Sequence, residues 1–467
     1  MENRIGDESI FLRIDELKKG KVQLTDATNA RRLFEEHGKD IRYIAAWKKW
    51  IVWNGKYWDT DEGGALVHEK GLEMIRNIYD ELLKTDDPRE RMEIEKYGII
   101  SESTRRRESL IKAAQWITEL NVKPEELDIN PWLLNVRNGT VDVASGEFKT
   151  QSQKEMITKI ANVEYNPNAD CPQWKKFVRE IMDYKAELIE FLQTAIGWAI
   201  TGDISEQIMF ILFGTGANGK STFLNTIMYL LGDYATATPT ETFMKKNGDQ
   251  ATNDIARLRG TRFVTTTEAE QGRRISEPLI KKITGNDQMT ARFLYGEYFN
   301  FTPTFKIFMA TNHKPVIKGT DYGIWRRIRL IPFLTRIEED KQDKHLEQKL
   351  REEASGILNW ILEGAERWKR EKLKTPAIVL NATDEYKNEM DVIGNFIKES
   401  CIQKPEASIR IRELFKAYQE WCEQNNEHAV SERFLGLRLK EMGFEQKRSS
   451  EARFWLGLGL RVTESKQ

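Results

Sequence analysis

Cysteine is scarce in this chain of 467 residues, which has only 3: Cys171, Cys401 and Cys422. Thiols so few and so scattered make neither a disulfide framework nor a C-x-x-C zinc clip, which fits a reducing compartment and argues against structural zinc. An excess of charge of either sign is also missing, because 72 Lys and Arg face 73 Asp and Glu for a formal net charge of −1. Any surface for nucleic acid must therefore be local rather than global. Long apolar runs are absent. The start, MENRIGDESIFLRIDELKKG, lacks the apolar centre of a signal peptide, and ELIEFLQTAIGWAITG carries acids and polar groups throughout, short of the roughly 18 apolar residues a membrane helix needs. Internal repeats and low-complexity linkers are missing too. The expectation is a soluble intracellular protein. Its length suggests about three domains at roughly 150 residues each and excludes a single small binding module.

What is present divides the chain. Two β-rich runs in WIVWNGKYWDTD meet at Asn54-Gly55 and predict a hairpin near 50–59, and LLNVRNGTVDVASGEFKT predicts three short antiparallel strands. Asp59 and Asp61 share a strand face and, with His68, have the make-up of a metal site, but they also sit naturally at the solvated end of the hairpin. The charged stretch TDDPRERMEIEKYG reads as a solvated face. Helical periodicity resumes over Trp174–Trp198, and from Gln207 to about Phe333 apolar strands alternate with helices, as in a parallel sheet wrapped by helices. Charged helices follow over 339–390. The tail from 391 reads helix, helix, helix and then two strands, FEQKRSS and EARFWLGLGLR. Over 430–461 it holds seven Lys and Arg against four Glu, a modest basic face suited to duplex DNA or to protein docking.

The sharpest signal is QIMFILFGTGANGKSTFLNTIMYLLG, an apolar run, a glycine loop and a helical pattern. It matches G-x-x-x-x-G-K-[ST] in the strand–loop–helix setting the motif requires. Gly214, Thr215, Gly216, Ala217, Asn218 and Gly219 can curl their backbone amides around phosphate oxygens at a helix N-terminus, with Lys220 on the β- and γ-phosphates and Ser221, followed by Thr222, on Mg²⁺. Downstream, GTRFVTTTEAEQG is a β-branched strand ending at Glu268 and Glu270, acids placed to hold Mg²⁺ and polarise the attacking water. FKIFMATNHKP delivers Asn312, able to orient water at a γ-phosphate, and DYGIWRRIRLIPF sets Arg326 and Arg327 before another strand, which suits an arginine finger serving a neighbouring subunit.

In this order the motifs GTGANGKST, RFVTTTEAEQG, LIKKITGNDQMTARFLYGEYFNFTPTFKIFMATNHKP and DYGIWRRIRLIPF resemble superfamily 3 DNA helicases of the poxvirus, phage and plasmid helicase-primase branch. The resemblance implies an α/β fold: a P-loop AAA+-type parallel sheet core over 206–338, an N-terminal α+β region over 1–155, a helical collar over 156–205, a helical connector over 339–390 and a winged-helix-like module over 391–467. It implies ATP and Mg²⁺ as cofactors, with Ser221 and Glu268 on the metal, and a homohexameric ring on single-stranded and forked DNA. A hairpin at about Thr284–Thr302 would grip the strand, with Lys281, Lys282 and Arg292 on phosphates and Tyr295, Phe293 and Tyr298 stacking on bases or packing beneath it. Only about twenty residues precede TDATNARRLF, too few for a polymerase fold, so a separate primase or polymerase is expected, in the cytoplasm of a bacterial host of a phage, prophage or plasmid. The acids depart from the family pattern in being separated by Ala269; either Glu268 or Glu270 is the base. The rival reading is a non-translocating ATPase switch that assembles on DNA or loads another helicase. A small-molecule phosphotransferase would leave Asn312 and the paired arginines unexplained.

Overall fold

A computed structural model describes residues 25–245, 253–266, 272–294, 296–319, 321–425, 427–450 and 452–461. The chain forms two compact units, Met1–Asn166 with Leu231–Tyr234, and Pro167–Leu230 with Ala235–Gln467.

The first unit holds two antiparallel three-stranded sheets. Ile41–Ile44, Lys49–Trp53 and Trp58–Asp61 form one, covered by the helices Asp26–His37, Ala65–Asn77 and Thr104–Ala114, whose Leu33, Val67, Met74, Ile75 and Leu110 are buried with Ile41 and Val52. The Asn-Gly turn forms where expected but spans four residues: Asn54 Oδ1 accepts from the amides of Lys56 and Tyr57, both at 3.0 Å, so the side chain closes the loop. Leu133–Val136, Gly139–Asp142 and Phe148–Lys149 form the second sheet. Asp61 is buried and caps the helix Ala65–Asn77, its carboxylate accepting from Leu66 N at 3.0 Å and Val67 N at 2.9 Å, while Asp59 faces solvent. With that carboxylate spent on helix amides, the Asp59–Asp61–His68 metal reading falls away. Among the described residues no cluster of three or more His, Cys, Asp or Glu could hold a metal.

The second unit is built on a five-stranded parallel sheet, in spatial order Ile328–Pro332, Met209–Phe213, Lys306–Thr311, Phe263–Thr266 and Ala235–Thr238. The central strands Met209–Phe213 and Lys306–Thr311 read as largely apolar runs because both faces are covered; all six residues of Lys306–Thr311 are buried. The glycine loop leaves the sheet between two neighbours, with Phe213 in register with Thr311 on one side and Pro332 on the other. A crevice at the carboxyl ends of parallel strands is where such sheets bind ligands.

At the opposite, amino end of the central strand lies a buried cation that sequence reading did not single out. Lys306, 1% exposed, donates to the carbonyls of Thr201, Asp203 (3.0 Å) and Thr304 (3.2 Å), and Arg262 donates to Ile200 O at 2.8 Å. Burial, then the nearby Arg262 cation, lowers the Lys306 pKa, whereas three carbonyl acceptors use all three protons of an ammonium. The two cations satisfy carbonyls just beyond the end of helix Ala186–Ala199 and tie it to the sheet. Leaving buried acceptors unpaired costs roughly 1–3 kcal/mol, so Lys306→Met is expected to lower unfolding free energy by about 3 kcal/mol in denaturant titration. Unchanged stability would count against this brace.

The tail carries its own core of Phe396, Leu414, Tyr418, Leu435, Leu439, Trp455 and Leu458. Its order is helix Val392–Ser400, strand Cys401–Arg410, helices Ile411–Gln424 and Glu432–Glu441, then strands Glu445–Arg448 and Arg453–Leu460. The strand Cys401–Arg410 is a correction to the expected run of three helices. It lies at the edge of an antiparallel sheet beside Arg453–Leu460, with a register shift between Gln403 and Ser408 that leaves room for Pro405. A polar stretch with a proline and no alternation carries no strand signal; pairing with an apolar neighbour makes it one. Among the described residues no helix is long and apolar enough to cross a membrane.

Candidate active site

The glycine loop joins the end of Met209–Phe213 to the helix Lys220–Leu231. Gly216 (φ 103°), Ala217 (φ 48°) and Gly219 (φ 78°) all occupy the left-handed region, which turns successive backbone amides inward as an anion-binding concavity. Gly219 is required twice over: its φ disfavours other residues, and a Cβ there would meet Ile181 Cγ2 at 2.5 Å. Ala217 is held in its unusual conformation by Ile337 N, which donates to its carbonyl at 2.7 Å. Buried Asn218 pins the loop to the strand beside it, its Nδ2 donating to Phe333 O at 3.2 Å.

Lys220 is 4% exposed, and its Nζ donates to Gly214 O at 2.8 Å, Asn218 Oδ1 at 2.9 Å and Asn312 Oδ1 at 3.0 Å. Two residues proposed from separate motifs, 92 positions apart, thus meet at one atom. Asn312 follows directly on the strand Lys306–Thr311, which lies beside the strand carrying the loop. Ser221 lies exposed in the first turn of the helix, with Thr222 next to it. A cradle of inward amides, a helix N-terminus and a lysine held by neutral oxygens fit a nucleoside triphosphate, and the Ser221 hydroxyl fits one ligand position of a divalent cation. Glu268 and Glu270 lie outside the described residues. The strand that precedes them, Phe263–Thr266, pairs in parallel with Lys306–Thr311, Thr266 opposite Met309.

The two arginines have different surroundings. Arg326 is exposed. Arg327 is 9% exposed and spends its guanidinium inside its own chain, Nε donating to Thr284 Oγ1 at 3.0 Å and NH1 to Gly323 O at 2.6 Å. Burial, then the adjacent Arg326 cation, pulls the Arg327 pKa below its ordinary value.

The expected hairpin is present as Met289–Ala291 paired antiparallel with Phe299–Phe301. At its exposed tip the Arg292 guanidinium lies 4.9 Å from the Tyr298 ring, and Phe293 stacks on Phe299 at 5.4 Å. Phe293, Leu294 and Tyr298 are exposed; Tyr295 lies outside the described residues. Lys282 is exposed, whereas Lys281 bonds both carboxylate oxygens of Asp321, at 3.0 and 3.1 Å. Partial burial pushes the Asp321 carboxyl up, but the Lys281 ammonium together with the amides of Gly323 and Ile324 outweighs it and holds the group below the ordinary carboxylate range. Thr284 and Asp321, which tether Arg327 and Lys281, were missed in sequence because a lone Thr or Asp carries no pattern.

Three family models match the chain in succession: D5 N terminal like over residues 30–183, a family of unknown function over 212–327, and poxvirus D5 protein-like over 388–455. The chain is 28% identical over 324 residues to a candidate helicase of Acanthamoeba polyphaga mimivirus, covering 64% of this chain and 34% of that protein. It is 24% identical over 379 residues to a candidate primase of African swine fever virus, isolate Tick/Malawi/Lil 20-1/1983, covering 75% and 38%. The chain therefore spans 34–38% of the length of these curated relatives. In fold it is similar to the apo C-terminal region of NrS-1, with a TM-score of 0.50 at 8% identity, covering 90% of this chain and 96% of that one. The loop, Asn312 and the paired arginines adjoin one parallel sheet, and D5 models match before and after it in the sequence, so the chain is similar to D5-like helicase-primases of superfamily 3.

Proposed function

We propose that the protein is an ATP-dependent replicative DNA helicase that works as a hexameric ring, hydrolysing ATP between subunits and moving along single-stranded DNA. The meeting of Lys220 Nζ and Asn312 Oδ1 at 3.0 Å carries the reading, because it brings a phosphate-tracking cation and a neutral water-orienting amide to one point beside the amide cradle. In this reading the amides of 215–220 bind phosphate oxygens and Lys220 exchanges protein oxygens for those of the nucleotide. Ser221 and Glu268 hold Mg²⁺, which when bound neutralises charge on the phosphate oxygens. Asn312 orients the water and Glu268 or Glu270 takes its proton. Arg326, the exposed member of its pair, reaches the nucleotide of the neighbouring subunit.

The hairpin at 289–301 would grip the strand, with Lys282 and Arg292 on phosphates and the exposed aromatics on bases. We assign the N-terminal region to about residue 205 to a collar, with a helical segment over 156–205, and keep 206–338 as the ATPase core and 339–390 as the connector. The tail from 391, with its helices, three-stranded sheet, Lys447 and Arg448 on an edge strand and Arg453 at the start of the central one, fits a winged-helix module for duplex contact.

Arg292→Ala tests the reading at the hairpin. Fewer displaced counterions should weaken single-stranded DNA binding and reduce its salt slope by about 1. Basal ATPase should hold while fork unwinding falls much further. A parallel decline in melting temperature, ATPase, DNA affinity and unwinding would make Arg292 a structural partner only. Normal ATPase and DNA binding with no unwinding by the wild type would favour the non-translocating switch.

A further inference from the structure

The helix Glu277–Thr284 is bonded along its length to the segment that ends in the paired arginines. At its start the Glu277 carboxylate, 9% exposed, accepts from Lys318 N at 3.1 Å and Gly319 N at 3.0 Å, and pairs with Arg274 at 3.3 Å. One turn on, Lys281 bridges to Asp321. At the far end Thr284 Oγ1 accepts from Arg327 Nε at 3.0 Å while donating its own proton to Ile280 O at 2.7 Å. Positions 277, 281 and 284 lie on one helix face, and Ile280 and Ile283 anchor the helix in the core.

Two functional ends leave this block. The chain runs from Thr284 through four residues into the hairpin strand Met289–Ala291, and Arg327 is bonded to Thr284 while its neighbour Arg326 stands exposed. We propose that Glu277–Thr284 is a rigid coupling element, with Arg327, Asp321 and Thr284 as positioning residues that lock the hairpin-bearing helix to the loop presenting Arg326. Strand engagement at the hairpin and presentation of Arg326 to the next subunit's nucleotide then move as one body, so DNA binding accelerates hydrolysis. This rests on the helicase reading above. It gives Arg327 the task of aiming its neighbour rather than contacting nucleotide.

The test uses the full chain with Thr284→Val, which removes the acceptor, and Asp321→Asn, which weakens the Lys281 link at the surface. Basal ATPase and single-stranded DNA affinity should stay within about twofold of wild type. Stimulation of ATPase by DNA, and base pairs unwound per ATP, should fall about tenfold, within the usual span of coupling between two sites. Thr284→Ser keeps the hydroxyl and should restore coupling. Retained DNA stimulation in the double variant overturns the proposal, as does a Thr284→Ser protein as uncoupled as Thr284→Val, which would mark a packing effect. If Thr284→Val fails to fold, Asp321→Asn alone carries the same comparison. A wild-type ATPase indifferent to DNA would instead overturn the functional reading on which the coupling stands.

Discussion

Replacing Lys220 with alanine is expected to lower ATP turnover by two to three orders of magnitude, about the effect of deleting one preorganised charge-stabilising donor. The arrangement around Nζ supplies the reason. Among its partners, Gly214 O, Asn218 Oδ1 and Asn312 Oδ1 come from the loop's first residue, its interior and the end of a neighbouring strand, so the ammonium is centred where a triphosphate would lie. The substitution also strips three oxygens of a donor, and some loss of stability, about 1–3 kcal/mol, should accompany it. Melting temperature and turnover must therefore be measured on the same preparation. Asn312→Ala separates the two effects, since it removes the water-orienting amide and leaves Lys220 the oxygens of Gly214 and Asn218. Turnover should fall there with a smaller change in melting. Near-normal ATPase in folded Lys220→Ala protein would refute the site.

The second large effect is expected at Arg326. An arginine finger supplied by a neighbour contributes roughly 10³–10⁵-fold to turnover in other nucleotide hydrolases, and Arg326→Ala should approach the lower end of that range. Because the guanidinium would act across the subunit boundary, mixing Arg326→Ala subunits with Lys220→Ala subunits should restore part of the ATPase: some interfaces then carry both intact groups. No recovery at any ratio, with coassembly demonstrated, would sink the trans assignment. Arg327→Ala should behave differently, since that side chain is buried against Thr284 and Gly323.

Much of the site was legible in the residues. The loop motif needs its glycines where the backbone turns left-handed, at Gly216 and Gly219, and it announces both the strand before it and the helix after it. The apolar runs of the central parallel strands, Met209–Phe213 and Lys306–Thr311, were equally plain. These features are local. Each depends on the conformational demands of a few consecutive residues or on a period in hydropathy.

What the sequence could not decide depends on neighbours far along the chain. Nothing in FKIFMATNHKP says that Asn312 will reach the lysine of a loop 92 residues earlier; that follows from the order of strands, which sets Lys306–Thr311 directly beside Met209–Phe213. Nor do two adjacent arginines reveal which is covered. The short helix Tyr322–Trp325 that precedes them leaves Arg326 in solvent and turns Arg327 into contact with Thr284. Cys401–Arg410 becomes a strand only because Arg453–Leu460 pairs with it. By itself the sequence determined the glycine loop and the apolar central strands, since these follow from local backbone and hydropathy constraints, whereas the hairpin was expected from the family resemblance alone. The tertiary structure alone decided which distant side chains share an atom and which charges lose their water, because burial and hydrogen bonding are set by what packs alongside.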